Sequence, residues 1–492
     1  MKWVRRLAAA WCAVCALSAA RANVGFDDYF IDTTMRIDYY HVGDKSTEFV
    51  TLDRIYRQGV WAGNPRHSLD PFAYGRYRVQ VFDMISGTLI YSRGFDSYFG
   101  EYKTSDPAKQ GVKRTYHESL LIPAPRRTVR FVIEMRDRSN LYQPLFEMKI
   151  DPDDYHVATE PPQRGERIIE QVINGHPHDK VDIVILSEGY TRSDEAKFAA
   201  DVKRYAEIFL AWEPYKSLKG RFNISGVFVP SPESGVDEPR QHSYKKTALD
   251  ATFNSLDSDR YLLSENNRML RDVAAQVPYD ALVVMVNSNR YGGGGIYNAF
   301  TFFTSDGTWN EYVFHHEFAH AFGGLSDEYY TSDVAYEEFY PPGVEPTEPN
   351  LTALLDPKNL KWRDLVAPGV AIPTEWGQQA YDSLTARRDA LNKEHSENVA
   401  QMKKNGVPDT ELRKADDEFK LSMEEQNKRI RNFLENHPLK GKIGAFEGGG
   451  YVPRGLYRPT VNSLMNQFDA TDRAFYGVNE AALVRMIDYY SK

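Results

Sequence analysis

The stretch FHHEFAHAFGGLSDEY (residues 314–329) carries side chains with the types and spacing of a metal site. His316 and His320 are four residues apart, so on a helix they project from one face and can bind the same ion. Glu317 adjoins the first histidine and could reach a water molecule on that ion without being a ligand. A zinc ion would lower the pKa of this water, and the carboxylate would take its proton and deliver one to a leaving amine.

A third ligand should follow the two histidines. Gly323 and Gly324 allow a sharp chain reversal that would bring the next residues back under the metal. Asp327 and Glu328 lie seven and eight residues after the second histidine, and either carboxylate would complete the set while the fourth position stays open to water. We favour Asp327, with Glu328 as the alternative.

The helix that carries this motif is predicted over 309–322. Thr308 and Glu311 have the spacing of a capping box at its start, and the two glycines end it. His315 is one residue off the ligand face, which favours a packing role. The HExxH pattern also occurs by chance, so a pair of packed or surface histidines is the competing interpretation.

The surrounding segments predict an α/β domain. Nearly unbroken apolar runs are typical of strands that are buried on both faces, and they alternate with helical patterns. IYNAFTFFT (296–304) follows the glycines at 292–295 and predicts one more strand, at an edge of the sheet. The remaining predicted elements are strands at 181–187, 222–229 and 281–287, and helices at 193–212 and 260–276.

Two other regions have different patterns. Residues 23–158 contain short runs of period two, such as YGRYRVQVFDM (74–84), separated by turn residues, which predict an all-β sandwich domain. Residues 159–178 contain a proline-rich break and are predicted to be a linker. Residues 376–437 are charged, poor in glycine and helical in period, which predicts a helical hairpin inserted in the domain at 179–492. A structural insertion is the simpler interpretation, and an arm that gates substrate or docks a partner is the alternative.

The first residues have the pattern of a secretory signal peptide, predicted over 1–22 with cleavage near Asn23. Cys12 and Cys15 both lie in this segment, so the mature chain would contain no disulfide, thiolate zinc ligand or cysteine nucleophile. Cleavage would also remove four basic residues from a chain whose formal net charge is already −9. An acidic, secreted or periplasmic protein with no membrane insertion and no nucleic-acid partner is expected.

The HEFAHAFGGLSDEY block resembles the secreted IgA-peptidase family of zinc metallopeptidases, which are metzincin-like. The likeness extends over residues 180–490 through further blocks, and the upstream sandwich resembles the N-terminal domain often paired with that family. The matching blocks are VDIVILSEGYT, VPSPESGVDEP, RYGGGGIYN, EPNLT and GAFEGGGYVPRGLYRPTVNSLM.

The resemblance implies one catalytic Zn²⁺ on His316, His320 and Asp327, with Glu317 as general base. It also implies that Met465, in a loop similar to the metzincin Met-turn, supports the site without being a ligand. By the same analogy, the strand at 296–304 would hold the substrate peptide through backbone hydrogen bonds.

The sequence departs from the family pattern at two positions. Metzincins usually have their third ligand one residue earlier, where this chain has Ser326. Some have a tyrosine two residues after the Met-turn methionine, where this chain has Gln467. The group that stabilises the oxyanion is therefore unassigned, and Tyr329 and Tyr457 are the candidates.

These observations predict an exported zinc endopeptidase that acts on extracellular or host proteins. Immunoglobulin A is a substrate of some family members, but no residue here indicates that specificity. Two alternatives stay open. One is a zinc amidase or carboxypeptidase acting on small or cell-wall peptides, and the other is a secreted binding protein whose zinc is structural.

Overall fold

The computed structural model of the protein describes residues 25–159, 165–330, 339–466 and 474–492. The predicted signal peptide, residues 1–22, and Gln467 lie outside the described residues. Within the described ranges, none of the helices has both the length and the apolar character needed to cross a membrane.

Residues 25–158 form a β-rich region with two four-stranded sheets. One apolar core joins them, because it contains Ile37 and Ile122 of one sheet and Val79 and Phe131 of the other. The period-two pattern directs alternate side chains of each strand into this core. The strands are β1 (Phe30–Gly43), β2 (Glu48–Arg57), β3 (Tyr77–Asp83), β4 (Leu89–Phe95), β5 (Arg114–Pro125), β6 (Val129–Arg136), β7 (Tyr142–Ile150) and β8 (Val157–Ala158), and the short helices are α1 (Phe26–Tyr29), α2 (Tyr98–Tyr102) and α3 (Asp106–Lys109).

The two sheets have the strand orders β5-β1-β2-β8 and β4-β3-β6-β7. All their pairings are antiparallel except that of β8, which joins β2 in parallel.

A mixed α/β region follows. Its strands are β9 (Arg167–Val172), β10 (Val181–Glu188), β11 (Phe222–Phe228), β12 (Ala251–Thr252), β13 (Leu263–Ser264), β14 (Ala281–Val286), β15 (Gly293–Ile296) and β16 (Phe300–Thr304), and its helices are α4 (Glu195–Phe209), α5 (Asn267–Ala274) and α6 (Asn310–Gly323). Six of these strands form one sheet in the order β15-β16-β14-β10-β11-β9, in which the four central strands are parallel. The two edge strands run antiparallel to their neighbours.

Both faces of this sheet are covered, which explains the unbroken apolar runs of its central strands. In β10, Ile183 and Ile185 belong to the core shared with α4 and α6. Val184 and Leu186, on the opposite face, belong to a second core that includes side chains of α5. The helix that carries the HExxH motif is therefore supported by the buried centre of the sheet.

The structure corrects the prediction of one edge strand at 296–304. The chain turns at 297–299, where Asn298 has a left-handed backbone conformation, and so two strands form instead of one. The glycine segment is itself the edge strand β15, and β16 lies one position inside the sheet. Glycine is required at Gly295 because a Cβ there would lie 2.3 Å from the carbonyl oxygen of Glu317.

The structure also changes three smaller predictions. Strand β9 lies inside the range 159–178 that was predicted to be a linker, and it pairs with β11. Helix α5 is shorter than the predicted 260–276, because residues before it form β13 and a turn. Helix α6 begins at Asn310 after Trp309, whose side chain does not cap the helix, so the capping box predicted at Thr308 does not form.

The last part of the chain contains a pair of long helices and a β-hairpin. The long helices lie within the range 376–437 predicted as a helical hairpin, and their base packs around Trp376, Tyr381 and Ile430. Tyr330 and Phe446 join the same cluster, which connects the helical hairpin to the segment after the HExxH motif. The elements are α7 (Gln378–Lys404), α8 (Asp409–Glu435), β17 (Phe446–Gly449), β18 (Val452–Arg458) and α9 (Tyr476–Ser491).

Candidate metal centre

Helix α6 holds the two histidines of the motif with their rings close together. The Nε2 atoms of His316 and His320 are 3.1 Å apart, and their rings are nearly perpendicular. Each Nδ1 lies against a backbone carbonyl, that of Leu464 at 3.1 Å and that of Leu325 at 2.6 Å. A carbonyl oxygen can only accept, so each Nδ1 is the donor and each Nε2 presents its lone pair to the space between the rings.

Asp327 completes this group. Gly324 ends the helix with a left-handed conformation, φ 63°, and the chain then returns toward the histidines. The Oδ1 atom of Asp327 lies 3.1 Å from His316 Nε2 and 3.3 Å from His320 Nε2. This oxygen is buried and has no hydrogen-bond partner among the described residues.

The three ligand atoms fit a tetrahedral zinc ion. Zinc binds histidine nitrogen and carboxylate oxygen at about 2.0–2.2 Å, so two ligands of a tetrahedral site should be about 3.3 Å apart. The three observed separations are 3.1, 3.1 and 3.3 Å. Two imidazole nitrogens and a carboxylate oxygen that converge in this way offer the donor set of a His-His-Asp metal site.

The charges in this group depend strongly on one another. Burial lowers the pKa of His320, but the Asp327 carboxylate outweighs burial and raises it to about 9. Burial raises the pKa of Asp327, and the two imidazoles outweigh that effect and hold it well below its usual range. A metal ion would take the place of the imidazole proton, because a histidine ligand must be neutral.

Glu328, the alternative third ligand, points away from the histidines. Its side chain is fully buried and accepts hydrogen bonds from Ser463 Oγ at 2.7 Å, Asn479 Nδ2 at 2.9 Å and Asn350 Nδ2 at 3.0 Å. Burial raises the pKa of this carboxyl, and the three donors oppose the rise. Through these contacts Glu328 connects the segments that surround the candidate metal centre.

Met465, predicted to lie beneath the metal, is fully buried in the core that also contains side chains of α6. Its carbonyl oxygen accepts a hydrogen bond from the Glu328 amide at 2.8 Å, and Tyr312 Oη donates to the carbonyl of Leu464 at 3.0 Å. The Ser463–Met465 segment thus contacts both the HExxH helix and the ligand segment.

His315 is also fully buried, but its ring stacks on Trp212 with centroids 4.0 Å apart. The structure therefore places His315 in the core and not in the ligand group, in agreement with the packing role predicted for it.

Glu317 lines a cleft of about 580 Å³, together with the three ligands. Burial raises the pKa of its carboxyl. Other parts of the chain contribute to the same cleft: Asp96 and Glu101 come from the β-rich region, and Arg388 and Asn392 come from α7. Burial raises the pKa of Asp96 to about 6 and that of Glu101 to about 7.

The two tyrosines considered for the oxyanion differ in position, because only Tyr329 lines the cleft. Tyr329 donates its hydroxyl hydrogen to Asp327 Oδ2 at 2.8 Å. Tyr457 packs with Trp362 in a separate apolar cluster and is not among the described residues that line the cleft. A third tyrosine, Tyr451, also donates to Asp327 Oδ2, at 2.5 Å. Sequence reasoning missed Tyr451, although it follows three consecutive glycines in a block that resembles the family.

A second group of potential ligands, in the β-rich region and outside the cleft, does not have the character of a metal site. Asp38, Asp53 and His117 lie close together, but Arg36 pairs with Asp38 at 2.9 Å and Arg268 pairs with Asp53. Two guanidinium groups already balance the two carboxylates, so this group is an ion-pair network.

Comparison with known protein families gives two matches in this chain. Residues 169–487 match the model of the IgA Peptidase M64 family, and residues 25–147 match that of the Peptidase M64 N-terminus. No curated protein matches the chain. Peptidases of the M64 family are in general metallopeptidases, which is consistent with the His-His-Asp group described above. The chain belongs to the IgA peptidase M64 family, and it is a peptidase.

Proposed function

We propose that this protein is an exported, metzincin-like zinc endopeptidase that cleaves extracellular or host proteins. The observation that carries the proposal is the convergence of His316, His320 and Asp327 within 3.3 Å of one another, beside Glu317 in an open cleft. Zinc, when bound, would supply a Lewis acid that polarises the scissile carbonyl and lowers the pKa of a coordinated water.

Glu317 performs the proton transfers. Its carboxylate accepts a proton from the attacking water, whose oxygen forms a bond to the carbonyl carbon. The same carboxyl then donates that proton to the amide nitrogen, and the carbon–nitrogen bond breaks to release an amine and a carboxylic acid. Burial raises the pKa of the Glu317 carboxyl, which makes it a stronger base than an exposed glutamate.

The edge strand β15 offers a place for the substrate backbone. At the outer edge of β15, away from β16, the Gly293 amide donates a hydrogen bond to the carbonyl of Arg260 at 3.2 Å. The Gly293 carbonyl accepts one from the amide of Leu262 at 3.1 Å. Alternate residues of a strand face the same edge, so the amide and carbonyl of Gly295 are directed outward next to the motif helix. A substrate segment that pairs antiparallel with Gly295 would extend past Glu317.

The cleft favours an internal bond as the point of cleavage. Its walls come from three parts of the chain, namely the β-rich region, the α/β region and α7, so it accommodates more than one terminal residue. The base of the helical hairpin contributes Arg388 and Asn392 to one wall, which supports a role for the hairpin in contacting substrate.

The Glu317→Gln variant tests the proposal. Gln keeps the shape of the side chain and cannot accept the proton, so we expect zinc content equal to wild type and a loss of peptide hydrolysis of 10²-fold or more. Metal analysis and digestion of a peptide library followed by mass spectrometry measure the two properties. Cuts confined to chain ends in the wild type would indicate a carboxypeptidase, and bound zinc without any hydrolysis would indicate a binding protein.

A further inference from the structure

We propose that two tyrosine hydroxyls, from Tyr329 and Tyr451, position Asp327 so that it offers a single oxygen to the metal. The proposal rests on the proposed zinc function. It assigns a role to residues 448–451, called the glycine turn below, which include the end of β17 and the two residues that connect it to β18.

The two carboxylate oxygens of Asp327 have different surroundings. Oδ2 accepts from Tyr329 Oη at 2.8 Å and from Tyr451 Oη at 2.5 Å. Oδ1 accepts no hydrogen bond from any residue that the structure describes, and it faces the two imidazoles. Two donors on one oxygen fix the rotation of the carboxylate and leave only the other oxygen for a cation.

Backbone contacts hold the glycine turn against the ligand segment. The Gly450 amide donates to the carbonyl of Asp327 at 3.0 Å, and the Tyr451 amide donates to the carbonyl of Tyr329 at 3.0 Å. The two segments therefore lie side by side, and the hydroxyl of Tyr451 reaches Asp327 from the glycine turn.

Three residues of the glycine turn have positive φ values, a backbone conformation that glycine adopts more easily than other residues. Gly448 and Gly450 have φ values of 97° and 56°, and a Cβ on Gly448 would lie 2.4 Å from the ring of Tyr330. Tyr451 has φ 67°, which is costly for a residue with a side chain. The fold keeps this strained residue in a conformation that directs its hydroxyl to the third ligand.

The two tyrosine hydrogen bonds to Oδ2, called the clamp below, determine how the Asp327 carboxylate can bind the metal. A carboxylate that binds through both oxygens would occupy an additional coordination position, whereas one that binds through Oδ1 alone leaves that position for water and substrate. The hydroxyls also hold Asp327 in place before a metal arrives, which strengthens metal binding.

Tyrosine-to-phenylalanine substitutions test this role, because they remove the hydroxyl and keep the ring. We expect the zinc dissociation constant of Tyr329→Phe and of Tyr451→Phe to rise about tenfold each, and that of the double variant to rise by up to about 100-fold. Competition with a chromophoric chelator measures these constants. In the Co²⁺-substituted double variant, we expect weaker visible absorption bands, because the freed carboxylate can bind through both oxygens and raise the coordination number.

Tyr457→Phe, on strand β18 of the same hairpin, is the matched control and should bind zinc as the wild type does. Thermal unfolding checks that each variant is folded. A folded double variant with unchanged zinc affinity and Co²⁺ spectrum would overturn the proposal, even if its activity fell, because the hydroxyls would then act on substrate. A wild type that binds zinc tightly and cleaves no peptide would refute the endopeptidase function alone, and the affinity comparison would still test the clamp.

Discussion

At the scale of single residues, the metal centre depends on two neighbouring carboxylates with opposite tasks. Asp327 directs toward the two imidazoles an oxygen that has no hydrogen-bond partner in the described part of the chain. Glu328, in contrast, accepts from three donors and faces the interior. Sequence reasoning could favour Asp327 but could not exclude Glu328, because their direction depends on the conformation of a segment without regular secondary structure. The partners of Glu328 lie 22 to 151 residues away in sequence.

Substitution of each carboxylate by its amide should separate the two tasks. Asp327→Asn replaces an anionic ligand by a neutral one, so we expect a loss of zinc affinity of about 100-fold or more. Glu328→Gln can keep an oxygen toward the two asparagine amides, but it replaces the oxygen that accepts from Ser463 Oγ by an NH₂ group. The loss of that acceptor should destabilise the fold by about 1–3 kcal/mol. Chelator competition and urea unfolding measure the two effects, and a stronger loss of zinc in Glu328→Gln than in Asp327→Asn would reverse the assignment.

At the scale of elements, the contact of β15 with α6 places the edge proposed to bind peptide beside the proposed metal ligands. The strand consists of Gly293, Gly294, Gly295 and Ile296, and the first three have no side chains to hold it off the helix. An added Cβ on Gly295 would meet Glu317 O at 2.3 Å and His320 Cβ at 3.1 Å. The glycines therefore allow a close approach of β15 to α6, which in the proposed function sets the distance between the substrate backbone and the metal ligands.

Gly295→Ala should consequently move β15 away from α6. We expect peptide hydrolysis to fall by 10²-fold or more, because a displacement of about 1 Å at a catalytic centre has an effect of that size. Gly220→Ala is the control, since a Cβ there meets no atom within 4 Å. Steady-state kinetics and zinc analysis of both variants measure the effect, and wild-type activity in Gly295→Ala would show that the edge strand does not set this distance.

The sequence predicted the elements whose signals are local. The apolar run of β10, the helical period of α4 and the HExxH spacing all predicted the observed structure, and the resemblance to the M64 family is confirmed by the family match. Features that depend on distant contacts were missed. The sequence analysis predicted that the strand begins after the glycines at 292–295, whereas three of these glycines form a strand of their own that packs against α6.

At the scale of the whole molecule, the C-terminal helix α9 joins the β-rich region to the α/β region. Arg93 of β4 is buried, donates to Tyr490 Oη at 2.5 Å, and lies over the rings of Tyr489 and Tyr490 at 4.9 and 5.0 Å. His67 Nδ1 lies 2.6 Å from the carbonyl oxygen of Tyr489. Since the β-rich region also lines the cleft, this interface supports one wall of the active site.

Removal of the guanidinium should therefore weaken both the fold and the cleft. We expect Arg93→Ala to lower the free energy of unfolding by about 2 kcal/mol or more, because it leaves Tyr490 Oη without its donor and removes the cation from two aromatic rings. The KM for peptide substrates should rise at the same time, because the wall that carries Asp96 and Glu101 loses support.

Arg66→Ala is the matched control, since Arg66 also reaches across this interface but forms an exposed pair with Asp179 at 2.8 Å. An exposed ion pair contributes less than about 1 kcal/mol, so this variant should unfold and bind substrate almost as the wild type does. Denaturant unfolding and steady-state kinetics of the two variants provide the comparison. Equal effects of both substitutions would mean that the buried arginine is not what holds the β-rich wall against the catalytic region.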